Sequence, residues 1–376
     1  MRFEFATAQR IVFGEGVVRD VPAAARACGR RAVLVTGSSP ERAATLRAGL
    51  EAAGVACVPF AVACEPTVDL IRSAPRDADM VIAIGGGSVL DAGKAIAALL
   101  TNPADPLDYL EVIGRAQPLA VPAAPCIAIP TTAGTGSEVT RNSVLASPEH
   151  RVKASLRSPW MLPRLAVVDP ELTLGLPRAI TASTGLDALT QLIEPYLSVK
   201  ANPMTDALCV DGIRRAARAL PRVWDDAGDR QARREMSYAS LLGGMALANA
   251  GLAAVHGFAA PVGGMFPAPH GAICAAVLPH AMAVNLRAAR RTPGYESRFE
   301  EVARLVTDRP HASAEDGVEW IAALCRKLEV PPLRTYGVHE DDVPVLVEKA
   351  SQASSMKGNP VALSREELRE IISLAL

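Results

Sequence analysis

Residues 79–100 read DMVIAIGGGSVLDAGKAIAALL. After Asp79, the next five are apolar and include the β-branched Val81, Ile82 and Ile84, the composition of a buried strand. Gly85, Gly86, Gly87 and Ser88 break the run, and from about residue 89 to 100 the apolar positions recur at helical spacing. A strand that passes through glycines directly into a helix is half of a β-α-β unit. The same alternation continues on both sides. Residues 31–36 (RAVLVT) predict a strand, 41–54 a helix, 55–60 a strand and 125–129 (PCIAI) another. Alternating strands and helices predict a parallel sheet covered on both faces. After Asp169-Pro170-Glu171-Leu172 the strand signals fade and Ala/Leu-rich helical patterns continue to Leu376. The expectation is an α/β domain over residues 1–177 and an all-helical domain over 178–376. A chain of 376 residues fits two domains.

Composition narrows the function. Lys and Arg total 39 against 40 Asp and Glu, a net charge of −1, and 4% of residues are aromatic. Neither the basic footprint nor the stacking platforms of a nucleic-acid binder are expected. The seven cysteines, Cys28, Cys57, Cys64, Cys126, Cys209, Cys274 and Cys325, are odd in number and scattered, with no CxxC pair. They form no disulfide framework or zinc ribbon and read as small buried hydrophobes. Glu4 and Arg10 interrupt any signal-like apolar run at the start, so the expected residence is the cytoplasm. Residues 236–286 contain no Asp, Glu, Lys or Arg, yet Asn249, His256, Pro261, Pro267, Pro269 and His270 divide them. The stretch reads as the buried centre of the helical domain, with a site inside it, and no membrane partner is expected.

Three groups of residues can carry chemistry. The Gly85–Ser88 turn before a helix offers free N–H groups and a positive dipole end, which suit a phosphate. Residues 129–140, IPTTAGTGSEVT, follow a strand with five hydroxyl side chains that suit ribose and phosphate oxygens; an ordinary helix-capping turn reads the same way. In the helix expected over residues 184–196, Asp187, Gln191 and Glu194 fall at i, i+4 and i+7, on one face. With His256 and His270 they could hold a divalent cation.

At this point the chain resembles the iron-containing (group III) alcohol dehydrogenase family, which includes maleylacetate reductases and is related to glycerol dehydrogenase and dehydroquinate synthase. FGEG from Phe13, GGGSVLDAGKA, IPTTAGTGSEVT, VVDPELT at 167–173, TGLDALT at 184–190, the segment 255–270 and MKGNP at 356–360 are similar to family motifs. The resemblance implies a dinucleotide-binding domain and an all-helical domain, with cofactor and metal meeting in the cleft between them, and a homodimer. It implies reversible hydride transfer between a nicotinamide and a small alcohol, aldehyde or keto substrate, assisted by Fe2+ or Zn2+. Gly86, Gly87, Ser88 and Asp91 would cradle the pyrophosphate and its ribose. Thr131, Thr132, Thr135 and Lys153 would line the adenine and nicotinamide-ribose parts. Asp187, His256 and His270 would bind the metal and carry the chemistry.

The chain departs from the family at three places. The fourth metal position, a family histidine, is Gln191, whose amide oxygen is a weaker ligand. A family histidine four residues after His256, often assigned to proton relay, is Ala260. Where many relatives carry an acid after the early strand, this chain has Gly37 and Ser38, with Ser39 and Arg42 following. Without that carboxylate a 2′-phosphate is not repelled, so the cofactor reading favours NADP(H) over NAD(H). Besides the metal-assisted dehydrogenase, two alternatives stand: a metal-independent, maleylacetate reductase-like carbonyl reductase using cations such as Arg141 and Lys153, and a weakly catalytic nucleotide-binding protein.

Overall fold

The structure, a computed structural model, describes residues 2–292 and 294–376. The chain forms two compact units. One comprises Thr7–Thr132 and Gly136–Thr173; the other comprises Leu174–Leu376 together with Met1–Ala6 and Ala133–Thr135. The division therefore falls after Thr173, and two short segments from the first half pack with the helical unit.

The first unit is built on a six-stranded sheet. Its strands are β1 (Ile11–Phe13), β2 (Arg31–Thr36), β3 (Ala56–Ala61), β4 (Met80–Gly85), β5 (Cys126–Pro130) and β8 (Leu165–Val168), in the order β1-β8-β5-β4-β2-β3. Every pairing is parallel. The pleat explains why the strands read as continuous apolar runs. Leu34, Met80, Ile82 and Ile127 pack on one face, and Val33, Val35, Val81, Ala83 and Ala128 on the other. Both faces are covered, as in other parallel sheets.

Two strands lie outside the sheet. β6 (Asn142–Ser147) and β7 (Val152–Arg157) form an antiparallel hairpin, which the sequence reading did not anticipate. Their alternating burial leaves few consecutive apolar residues to mark them.

The helix after β4 spans Gly87–Thr101, two residues earlier than the periodicity predicts, so it begins inside the glycine run. It lies against β4 at Gly93, where a Cβ would stand 2.6 Å from the Cβ of Ala83. The second unit is helical. Its core gathers Leu186, Leu189, Leu192, Phe258, Ile273, Val277 and Phe299. The helix predicted over 184–196 extends over Arg178–Leu197. The helix His270–Ala289 is long and apolar enough to cross a membrane, but 78% of its apolar window is buried within the protein. It is a core helix of this unit.

Because Gly93 sits at a contact with no room for a methyl group, Gly93→Ala should overpack the sheet. The expected loss is ~1–3 kcal/mol of stability, read from urea unfolding midpoints. An unchanged midpoint would mean that the helix can lift off β4 at no cost.

Candidate functional site

The strand order brings together segments that are far apart in sequence. β4 lies between β2 and β5, with Thr36 opposite Ile84 and Gly85 opposite Pro130. The backbone N–H of Thr131 donates to the Gly85 carbonyl at 2.9 Å. Gly37–Ser38, Gly86–Ser88 and Thr131–Thr132 therefore line one carboxyl edge of three adjacent strands, the position at which open parallel sheets bind ligands. A Cβ on Gly86 would lie 3.5 Å from the Thr132 side chain. Gly86 is the N-cap of the Gly87–Thr101 helix and provides no side-chain cap; the Val89 N–H turns back to the Gly86 carbonyl at 3.0 Å, so the N–H groups of Gly87 and Ser88 are the ones placed to meet an anion. Ser38, Ser39 and Arg42 are exposed beyond the end of β2.

Other predicted cofactor residues are engaged within the chain. Asp91 accepts from the Ser137 hydroxyl at 2.5 Å and the Val144 N–H at 2.9 Å, and its carboxylate lies 3.2 Å from Lys94 Nζ. Lys94 is fully buried and also donates to the Thr140 hydroxyl at 2.8 Å. Ser137 and Thr140 of the hydroxyl-rich segment thus brace the loop from inside. Lys153 is buried in an ion pair with Glu65 at 2.5 Å. Thr135 belongs, with Ala133 and Gly134, to the helical unit.

The helical unit contains the second cluster. Asp187, Gln191 and Glu194 share one face of the Arg178–Leu197 helix and are 1%, 2% and 4% exposed. His256 lies in the first turn of the helix Ala254–Met265, and His270 begins the helix His270–Ala289. Gly271 permits a close approach there, since a Cβ would stand 2.6 Å from the Ser183 carbonyl oxygen. Asp187 Oδ1 lies 3.4 Å from His256 Nε2 and 3.7 Å from His270 Nε2. The two imidazole rings are 5.3 Å apart between centroids. One residue that the sequence reading left among the buried hydrophobes joins them. Cys274 Sγ is 3.8 Å from His256 Nε2 and 3.7 Å from His270 Nε2. The four donor atoms of Asp187, His256, His270 and Cys274 all lie within 4.8 Å of one another. The i, i+4 spacing of His270 and Cys274 on one helix was the available signal.

Glu194 holds this cluster from behind. Its two carboxylate oxygens accept from the Val255 N–H and from His256 Nδ1, each at 2.7 Å. It thereby caps the helix and turns Nε2 toward Asp187. The MKGNP motif contributes Asn359, whose Oδ1 accepts from the Ala254 N–H at 3.1 Å and whose amide pairs with Asn285.

Charge is concentrated here. Burial opposes the Asp187 charge, but the imidazoles and the Gln191 amide outweigh it and keep the carboxyl below its ordinary value. Burial likewise opposes protonation of His256, yet Cys274, Glu194 and Asp187 raise it well above the usual imidazole range. Two buried oxygens, Asp187 Oδ1 and Gln191 Oε1, have no hydrogen-bond partner. Orphaned oxygens beside two imidazole nitrogens and a thiol are the donor set of a divalent cation, and these residues fit one.

A family model described as iron-containing alcohol dehydrogenase matches residues 8–170, and one described as Fe-containing alcohol dehydrogenase family, C-terminal, matches 181–376. The chain is 38% identical over 303 residues to 1,3-propanediol dehydrogenase of Klebsiella pneumoniae, covering 79% of this chain and 76% of that one. It is 35% identical over 340 residues to lactaldehyde reductase of Escherichia coli (strain K12), covering 87% and 86%. A crystal structure of a 1,3-propanediol oxidoreductase superposes with a TM-score of 0.92 at 34% identity, covering 100% of both chains.

Glu138, in the hydroxyl-rich segment, gives a pH-dependent test of that unit. Burial raises its carboxyl to about 7, against the opposing effects of its backbone N–H and Lys94. The folded chain keeps a proton that the unfolded chain sheds above its ordinary pKa. Stability from this group therefore falls as pH rises through roughly 4.5 to 7. Glu138→Gln removes that fall, so the variant should gain ~2 kcal/mol on wild type between pH 4.5 and 8 in urea titrations. Parallel pH profiles would refute the raised carboxyl.

Proposed function

Since the chain belongs to the iron-containing alcohol dehydrogenase family and is an oxidoreductase of alcohols and aldehydes, we propose that Asp187, His256 and His270 hold a divalent cation for its hydride transfer. The observation that carries this reading is the orphaned Asp187 Oδ1 facing two imidazole nitrogens. Bound there, a cation supplies Lewis-acid polarisation of the substrate oxygen, and the nicotinamide supplies the hydride. Glu194 fixes the His256 ring, and Asp187 provides the compensating negative charge. Gln191 stands on the same helix face as a weak neutral donor. Ala260 cannot relay a proton, so the proton that the substrate oxygen gains on reduction, or loses on oxidation, would have to pass by a route other than that side chain.

In the α/β unit, the backbone of Gly87 and Ser88 takes the pyrophosphate, with Gly86 and Thr132 shaping the approach and Thr131 beside them. Asp91 braces that loop. Gly37, Ser38 and Arg42 favour NADP(H), because Gly37 stands directly after β2 where an acid would repel a 2′-phosphate. The substrate class is a small alcohol or aldehyde, in keeping with relatives named for propanediol and lactaldehyde. The same reading takes the protein as a cytoplasmic homodimer.

Two measurements test these points. His270→Ala should lose bound zinc or iron and more than ~100-fold of turnover, assayed with metal counted per chain. Full activity in the variant would remove the cation from the reaction. Arg42→Ala should cut kcat/KM with NADPH by about tenfold and leave NADH little changed. Equal losses with both cofactors would place Arg42 away from the 2′-phosphate.

A further inference from the structure

The sequence leaves the metal cluster with three strong donors and an amide. The fold supplies a fourth strong donor from elsewhere. Cys274 is completely buried, one helical turn beyond His270. Among the described residues its sulfur meets two hydrogen-bonding atoms, the Nε2 of His256 and the Nε2 of His270, at 3.8 and 3.7 Å. The carboxylate of Glu194 accepts from His256 Nδ1, so Nε2 is the ring nitrogen turned toward the cluster, and it offers its lone pair to a cation once its own proton has left.

Four of the six separations among the donor atoms lie close to the edge of a coordination tetrahedron, and all six are within 4.8 Å. Ligand atoms about 2.1 Å from a tetrahedral centre stand about 3.4 Å apart, and a nitrogen and a sulfur at about 2.1 and 2.3 Å stand about 3.6 Å apart. The nitrogen–oxygen separations here are 3.4 and 3.7 Å, and the nitrogen–sulfur separations are 3.8 and 3.7 Å. His270 is the open side of the group, with 36% of its side chain exposed.

We propose that the Cys274 thiolate is the fourth protein ligand of the metal centre, in place of the histidine lost at position 191. Its proton leaves to solvent when the cation binds. An Asp-His-His-Cys set with a buried sulfur favours borderline ions such as zinc or cobalt over hard ions such as manganese or magnesium. The inference rests on the metal reading above and adds the identity of the fourth donor and its consequence for metal choice.

The test is X-ray absorption on the zinc-loaded full chain, with cobalt(II) loading as a second probe. One sulfur shell at about 2.3 Å and nitrogen or oxygen at about 2.0–2.2 Å are expected. Cobalt should show a thiolate charge-transfer band. Cys274→Ser should lose the sulfur shell and the band while still binding metal, with its zinc-over-manganese preference reduced at least tenfold. A bound metal without a sulfur shell in the wild type overturns the Cys274 assignment and leaves the metal reading intact. A sulfur shell that survives in Cys274→Ser also overturns it. No uptake of zinc or cobalt by the wild type overturns the metal reading and this inference together.

Discussion

The carboxylate of Glu194 joins the architecture of the helical unit to its chemistry. It is buried, and an uncompensated charge at that depth would cost several kcal/mol. Two donors satisfy it, the Val255 N–H that opens one helix and the Nδ1–H of His256 on the same turn. The helix start, the ring orientation and the direction in which Nε2 points therefore follow from one interaction. Removing either donor would leave the carboxylate short, so the fold and the site are stabilised by the same bonds. Asn359 repeats the pattern on the adjacent Ala254 N–H and ties a distant turn to the same helix start.

The α/β unit uses a buried ion pair for a similar purpose. Lys94 and Asp91 are three residues apart on the Gly87–Thr101 helix, and their remaining hydrogen-bonding capacity goes to Ser137, Thr140 and Val144. Well-satisfied buried pairs fix geometry more than they add stability. Here they hold the hydroxyl-rich loop from within. The glycine turn that opens the helix has no side-chain cap. Binding capacity thus sits on the backbone at the strand ends, and the charged side chains in the motif keep it in place.

On the proposed reading, the cluster of Asp187, His256, His270 and Cys274 takes its fourth donor from a different helix than the one that carries Gln191. A ligand lost from one helix can be replaced by any helix that passes within bonding distance. Two donors one turn apart on a single helix, His270 and Cys274, reach the same point in space. A thiolate in place of an imidazole changes the softness of the donor set, and with it the ions the site prefers.

Periodicity and composition alone determined the class of each half. The strand–glycine–helix run at 79–100 and the alternation around it required a covered parallel sheet, and the loss of strand signals after Leu172 required helices. The face shared by Asp187, Gln191 and Glu194 was also legible, since helical spacing is local. Tertiary structure decided what local spacing cannot carry. The strand order set Gly37, Gly86 and Thr131 side by side, because adjacency in a sheet depends on crossovers and not on sequence distance. The β6–β7 hairpin was hidden by its half-buried alternation. Cys274 read as one more small apolar residue in an uncharged stretch. Only the packing of three helices brought its sulfur to two imidazoles and a carboxylate, and a residue's role as a ligand is set by what meets it in space.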